Sequence, residues 1–204
     1  GPVTPLAVAV LVNLGLVLAF GLQHSVMART GFKAWLKQRL PASAERSVYV
    51  LAASATLIIL FAFWRPITGI VWSFDGMAAY LLWGVFGLGW AIVLASTFLI
   101  NHFELFGLQQ AWLHVRGREA AAPQFRQPFF YKLVRHPLYS GFLLAFWATP
   151  HMTWGHMLFS IGMTIYILIA ISYEEKDLVS YFGQDYEQYQ RDVGTLVPGL
   201  GKRA

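Results

Sequence analysis

The chain has 204 residues, of which 57% are hydrophobic and only 12% charged, with a formal net charge of +5 and no cysteine. Soluble domains carry about a quarter charged residues, so this composition excludes an ordinary soluble domain and indicates one unit inserted in a membrane. The lack of cysteine excludes disulfides, thiolate metal sites and cysteine nucleophiles.

Gly1-Pro2 reads as the scar of a purification protease, leaving a single membrane domain over 3–204. The first apolar run, 3–22, has no basic segment before it and no small-residue cleavage site after it, and is read as a retained span rather than a signal peptide. Gln23-His24-Ser25 closes it. In "RTGFKAWLKQRL", Phe32, Trp35, Leu36 and Leu40 recur at helical spacing opposite Lys33, Lys37 and Arg39, the pattern of a helix lying among lipid headgroups. A second span, 47–64, is short and anchors Trp64 and Arg65 at the interface.

The third span is 77–100, where Gly84, Gly87 and Gly89 suit close helix packing rather than a nucleotide loop. It ends in Asn101-His102-Phe103-Glu104. "EAAAP" at 119–123 reads as a linker. The fourth span, 128–149, is opened by Arg135-His136-Pro137, and Pro137 makes it kinked or re-entrant. The fifth, 152–172, closes at Glu174-Glu175, after which Leu178, Tyr181 and Phe182 form an apolar stripe that Gly183 punctuates.

Each run approaches the roughly 20 residues a helix needs to cross the hydrocarbon. The expected fold is therefore all-α, with five transmembrane helices and a cytoplasmic C-terminal helix. Lys and Arg gather after spans one, three and five, leaving Arg65 alone on the opposite side. The positive-inside rule then puts the N-terminus outside and the C-terminus in the cytoplasm. The excess positive charge is thereby topological, and no nucleic-acid partner is called for.

Four polar clusters are expected at one membrane level: Gln23-His24-Ser25, Asn101 to Glu104, Arg135-His136-Pro137 and Glu174-Glu175. Ionisable residues at membrane depth are functional candidates by default, and four at one level imply a shared pocket. No two histidines have H-x-x-x-H spacing, so no metal is indicated. Pro137 suits the first turn of a helix, whose N–H groups favour an anion. Arg135 is either an anchor at the membrane surface or a fork for a carboxylate. The glutamates offer the opposite charge, and the aromatic C-terminal segment an apolar wall. S-adenosylmethionine, with a carboxylate, an ammonium and a flat ring, matches these parts.

"RHPLYSG" followed by "EEKDLVSYFGQDYEQYQRDV" resembles, over residues 135–189, the C-terminal signature of integral-membrane methyltransferases, the group of isoprenylcysteine carboxyl and phospholipid methyltransferases. "FGLQHSVMAR" and "STFLINHFELFGLQQAW" resemble its NnrU-like branch. The resemblance implies a multi-pass protein of the bacterial inner membrane that binds S-adenosylmethionine from the cytoplasmic side. Its donor contacts would be Arg135, His136, Pro137, Tyr139, Gly141, Glu174, Glu175, Tyr186 and Tyr189.

It further implies S-methylation of a small thiol, methanethiol giving dimethyl sulfide. His24, His102 and Glu104 are the candidates for proton removal, and Phe20, Gln23, Ser25, Asn101 and Phe103 for a narrow substrate chamber. Relatives often end V-P-R where this chain has Gly199, which disfavours a carboxylate-bearing substrate. The alternatives are methylation of a prenylcysteine or lipid, reduction as in the longer sterol reductases, and a non-catalytic NnrU-like membrane subunit.

Overall fold

The computed structural model describes residues 1–118 and 124–203, and the linker expected at 119–123 lies outside the described residues. The described chain is mostly helical and divides into two compact units, one of 1–69 with 101–118 and the other of 70–100 with 124–203.

In the first unit, α1 (Leu6–Ala28) and α3 (Glu45–Phe63) pack together, with α2 (Thr30–Lys37) and a 3-10 turn (Ala42–Ala44) between them. α1 is apolar nearly all round, and at about 1.5 Å per residue its 23 residues span about 34 Å. It outlasts the expected 3–22 run, so Gln23-His24-Ser25 lies inside the helix instead of capping it. Fully buried Asn13 holds the far end of α3: its amide donates to the Arg65 carbonyl at 2.8 Å and accepts from the Arg65 N–H at 2.8 Å. At the other end α5 (His102–Leu105) and α6 (Leu108–Val115) dock on the start of α3. Gly107 between them has φ +79°, and a Cβ there would stand 2.6 Å from the Ser47 nitrogen, so only glycine allows this approach.

In the second unit, β1 (Ile70–Ser73) pairs antiparallel with β2 (His151–Thr153), joining the starts of α4 (Gly76–Ile100) and α8 (Trp154–Phe182). The Thr153 hydroxyl caps α8 by accepting from the His156 N–H at 3.1 Å. Gly183, φ +58°, ends α8, and α9 (Gln184–Asp192) follows.

Among the described residues four helices are long and apolar enough to cross a membrane: α1, α4, α8, and α3 with its preceding turn. The fourth expected span is corrected. Residues 128–149 form a 3-10 turn (Phe129–Lys132), a short connection, and α7 (Pro137–Trp147), whose 11 residues cover about 16 Å, half the hydrocarbon thickness. Pro137 cannot extend a helix backwards and Ala148 leaves helical geometry, so the apolar run outlasts its helix. The fifth span is also corrected: α8 continues ten residues past 172, carrying Glu174 and Glu175 on its last turns. α7 packs on α4 at two glycines, where a Cβ on Gly141 would meet the Gly89 carbonyl at 2.7 Å and one on Gly89 the Gly141 carbonyl at 2.7 Å. Of the three glycines expected to allow close packing, Gly89 does so, whereas a Cβ added at Gly84 or Gly87 would meet no other element within 4 Å.

Candidate functional site

In the second unit, chain order alone brings His136 and Tyr139 to the start of α7, and antiparallel packing sets them against the end of α8. His136 Nε2 lies 3.2 Å from Glu175 Oε1, while eleven residues further along α7 the Trp147 indole donates to Thr164 at 3.0 Å. Adjacent glutamates on a helix point about 100° apart, and here they flank the His136 ring with one buried and the other exposed. Glu175 is buried and accepts from Arg135 Nε at 2.7 Å, Gln190 at 2.9 Å and Arg203 at 3.2 Å. Glu174 is exposed, accepts from the Tyr139 hydroxyl at 3.0 Å, and lies 3.9 Å from His136 Nδ1.

Arg135 is neither a surface anchor nor a free fork. Its side chain is 1% exposed, and all five of its N–H donors have acceptors: Glu175, the carbonyls of Gln190, Val193 and Gly201, and the Thr195 hydroxyl. The tail is held further by backbone bonds from Arg135 and His136 to the Gly194 and Thr195 carbonyls, at 2.8 and 3.1 Å. Arg135 and Glu175 thus form a buried, fully paired clamp that fixes the floor beneath His136 and Glu174.

On α9, Tyr186, Tyr189 and Gln190 face inward. Phe125 meets the rings of Tyr186 and Tyr189 at 5.9 and 5.4 Å. The Tyr189 hydroxyl donates to the Tyr131 carbonyl. The Tyr186 hydroxyl is buried with no hydrogen-bond partner among the described residues. Burial, reinforced by the Glu175 and Glu174 charges, pushes the Tyr186 phenol above the usual tyrosine range. Burial also raises Tyr189, against the opposing pull of Arg135. Both therefore stay neutral hydrogen-bond donors near neutrality, and one donor is unused.

Pro137 is at the first position of α7 as expected, and buried. Gly141 belongs to the helix crossing with α4, which occupies the position where a ligand contact was expected. Of the Leu178–Tyr181–Phe182 stripe, Tyr181 is 60% exposed, whereas Leu178 and Phe182 are half-buried and Phe182 packs on Phe125. An open apolar groove of about 680 Å³ runs beside α7, lined by Phe130, Leu133, Ser140, Leu144, Trp147 and Val197, and neither Tyr139 nor Glu174 lines it.

In the first unit, the His24 imidazole lies 2.6 Å from the Tyr49 hydroxyl and edge-on to buried Phe20. Gln23 accepts from Thr56 at 3.0 Å, and Ser25 is half-buried. Asn101 caps α5, donating to Glu104 at 3.0 Å and to Gln109 at 2.6 Å. His102 packs on Phe106, and Phe103 is 59% exposed. Phe20 and Phe103 therefore stand in different surroundings, one packed inside and one facing outward.

Gln190, Thr195, Arg203 and Tyr49 join these clusters without having been expected from the sequence. Gln190 follows Tyr186 and Tyr189 on one face of α9 and was legible by periodicity. The others carry no local signal.

A family model described as NnrU protein matches residues 11–195. Methanethiol S-methyltransferase 2 of Bradyrhizobium diazoefficiens is 54% identical over 203 residues, covering 100% of this chain and 78% of that protein. The methanethiol S-methyltransferase of Mycobacterium tuberculosis is 50% identical, covering 95% and 80%. Nurim of Danio rerio is 30% identical, covering 83% and 64%. No solved structure matches.

Proposed function

Because the chain belongs to the NnrU protein family, we propose that it methylates methanethiol to dimethyl sulfide with S-adenosylmethionine as donor. The observation that carries this reading is the 54% identity over the whole chain to a methanethiol S-methyltransferase.

The residues present suit such a donor. An exposed acid–phenol pair, Glu174 and Tyr139, takes a cationic amine, and the buried Tyr186 hydroxyl supplies the donor that lacks an acceptor. Phe125, Tyr186 and Tyr189 form an aromatic wall for a flat ring. The Tyr139 hydroxyl orients Glu174 and Glu175 holds His136 beside it, while Arg135 and Glu175 act through the clamp. When bound, S-adenosylmethionine supplies a methyl group made electrophilic by its sulfonium.

A thiol of pKa about 8.5 is mostly protonated near neutrality, so a base must take the S–H proton. His24 and His102 are assigned that task, with His24 oriented by Tyr49 and Glu104 placed by Asn101. Transfer of the methyl would form one S–C bond while the sulfonium's own S–C bond breaks, leaving two neutral thioethers in place of two charges, so apolar surroundings that exclude water would favour the products. Gln23, Ser25 and Phe20 are assigned to the thiol.

The protein is assigned to the bacterial cytoplasmic membrane with its N-terminus outside, which the basic residues after α1, after α4 and after α8 support. A second reading, methylation of a prenylated thiol or lipid, is favoured only by the 680 Å³ groove beside α7.

The deciding experiment incubates purified protein with methanethiol and S-adenosylmethionine and measures dimethyl sulfide in the headspace. Steady production is expected. No dimethyl sulfide, with turnover of a prenylated thiol or a lipid, would overturn the small-thiol assignment in favour of the second reading. Failure of S-adenosylmethionine to bind would overturn the enzyme reading.

A further inference from the structure

Two short helices of the first unit present aromatic-basic faces that the methyl-transfer reading leaves unused. In α2, Trp35 is 46% exposed and the Arg39 guanidinium lies over its ring at 4.2 Å. In α6, Trp112 is 59% exposed and the Arg116 guanidinium lies over its ring at 4.6 Å. The stacking is the same in both: tryptophan, then arginine four residues later, at the end of an amphipathic helix.

Both helices sit at one end of the α1–α3 pair. α2 follows α1 directly after Arg29, and a Lys37–Glu45 ion pair of 3.1 Å ties it to the start of α3. α6 is fixed to that same start through Gly107 and by the Arg46 Nε bond to the Leu105 carbonyl at 2.8 Å. Since α1 is about as long as the hydrocarbon is thick, its end reaches the headgroup layer, and α2 and α6 lie there with it.

The composition of the two faces names the occupant. Leu108, Trp112 and Val115 form a continuous exposed apolar stripe on α6, and with Phe103 they line a groove of about 670 Å³. Around it stand His114, Arg116 and Arg118, and around α2 stand Lys33, Lys37 and Arg39. Of these basic residues, among the described residues only Lys37 has a carboxylate partner, Glu45. Trp–Arg pairs suit the boundary at which an acyl chain meets a phosphate, because indole favours that depth and arginine grips phosphate oxygens.

We propose that α2 and α6 form a recognition surface for anionic phospholipid, in which the α6 groove takes the upper acyl chain and Arg116 and Arg39 take phosphates. This surface distinguishes an anionic bilayer from a zwitterionic one, beyond mere membrane residence.

The test uses the full chain in detergent with an equimolar mixture of phosphatidylglycerol and phosphatidylcholine, counting retained lipid by native mass spectrometry. Phosphatidylglycerol should be retained in preference. Near the surface each arginine contributes about fivefold, so Arg39→Gln with Arg116→Gln should lower the preference by roughly 25-fold. Both positions are exposed, and a circular-dichroism melt checks the fold. A second arm needs no variant: in about 1 M salt, where the screening length is about 3 Å, the wild-type preference should collapse. In reconstituted vesicles, brominated phosphatidylglycerol should quench the wild type more than Trp112→Phe. Equal retention of the two lipids, an unchanged preference in the double variant, or a chain dimer sealing the α6 groove would overturn the proposal.

Discussion

Replacing Arg135 by methionine tests the assignment of this residue to the clamp. Methionine is unbranched and apolar, and it removes five N–H donors together. Glu175 would keep His136, Gln190 and Arg203, but Arg203 is half-exposed and reaches it at 3.2 Å. The carbonyls of Val193 and Gly201 and the Thr195 hydroxyl would lose their Arg135 donors. Removing one member of a buried ion pair costs about 3–5 kcal/mol, because the buried Glu175 charge loses its closest partner, at 2.7 Å, and the tail loses the donors that hold it. For a chain of about 200 residues each kcal/mol moves Tm by about 2–4 °C, so a fall of roughly 6–20 °C follows. Thermal unfolding of the detergent-solubilised protein, followed by near-ultraviolet circular dichroism, measures it. Limited proteolysis should at the same time release the tail after Val193. A Tm within about 2 °C of wild type, with the tail still protected, would refute the clamp and return Arg135 to the list of ligand contacts.

Glu174→Gln should behave in the opposite way, leaving Tm nearly unchanged while weakening S-adenosylmethionine about 10- to 100-fold by calorimetry, the range for a hydrogen bond to a charged group. Gly141→Ala should destabilise by about 1–3 kcal/mol, since its methyl meets the Gly89 carbonyl and the helices must part; an unchanged melt with weakened donor binding would make Gly141 a ligand contact instead. His24→Ala and His102→Ala are expected to lower turnover by about 10²- to 10⁴-fold in at least one case, and full turnover in both would remove both base assignments. The Tyr131, Tyr186 and Tyr189 phenols are all raised above the ordinary value of 10.0 by burial. The unfolded chain releases their protons first, so their contribution is intact below pH 10 and is lost as pH climbs from there toward the folded values. Urea unfolding across that range should show it.

Length and composition by themselves make the helical membrane architecture legible, because the hydrocarbon thickness sets a minimum apolar run. The same rule misjudged residues 128–149. Hydropathy registers apolar side chains without regard to backbone conformation, and there Pro137 and Ala148 confine the helix to 11 residues. Motif order likewise singled out His136, Tyr139, the two glutamates and the paired tyrosines, and Gly183 as a break. Which glutamate points outward was not legible, since adjacent residues on a helix must diverge but chain order does not say toward what.

The tertiary structure decided that. Arg135 finds its acceptors 40 to 66 residues away, at Glu175 and along the tail to Gly201. Only when those partners converge does a conspicuous arginine become internal, Glu175 become saturated, and Glu174 become the acid left to face a ligand. A sequence carries the identities of charged groups locally, but their availability depends on pairings made through space, which is why the chemistry of this chain was readable earlier than the roles of its residues.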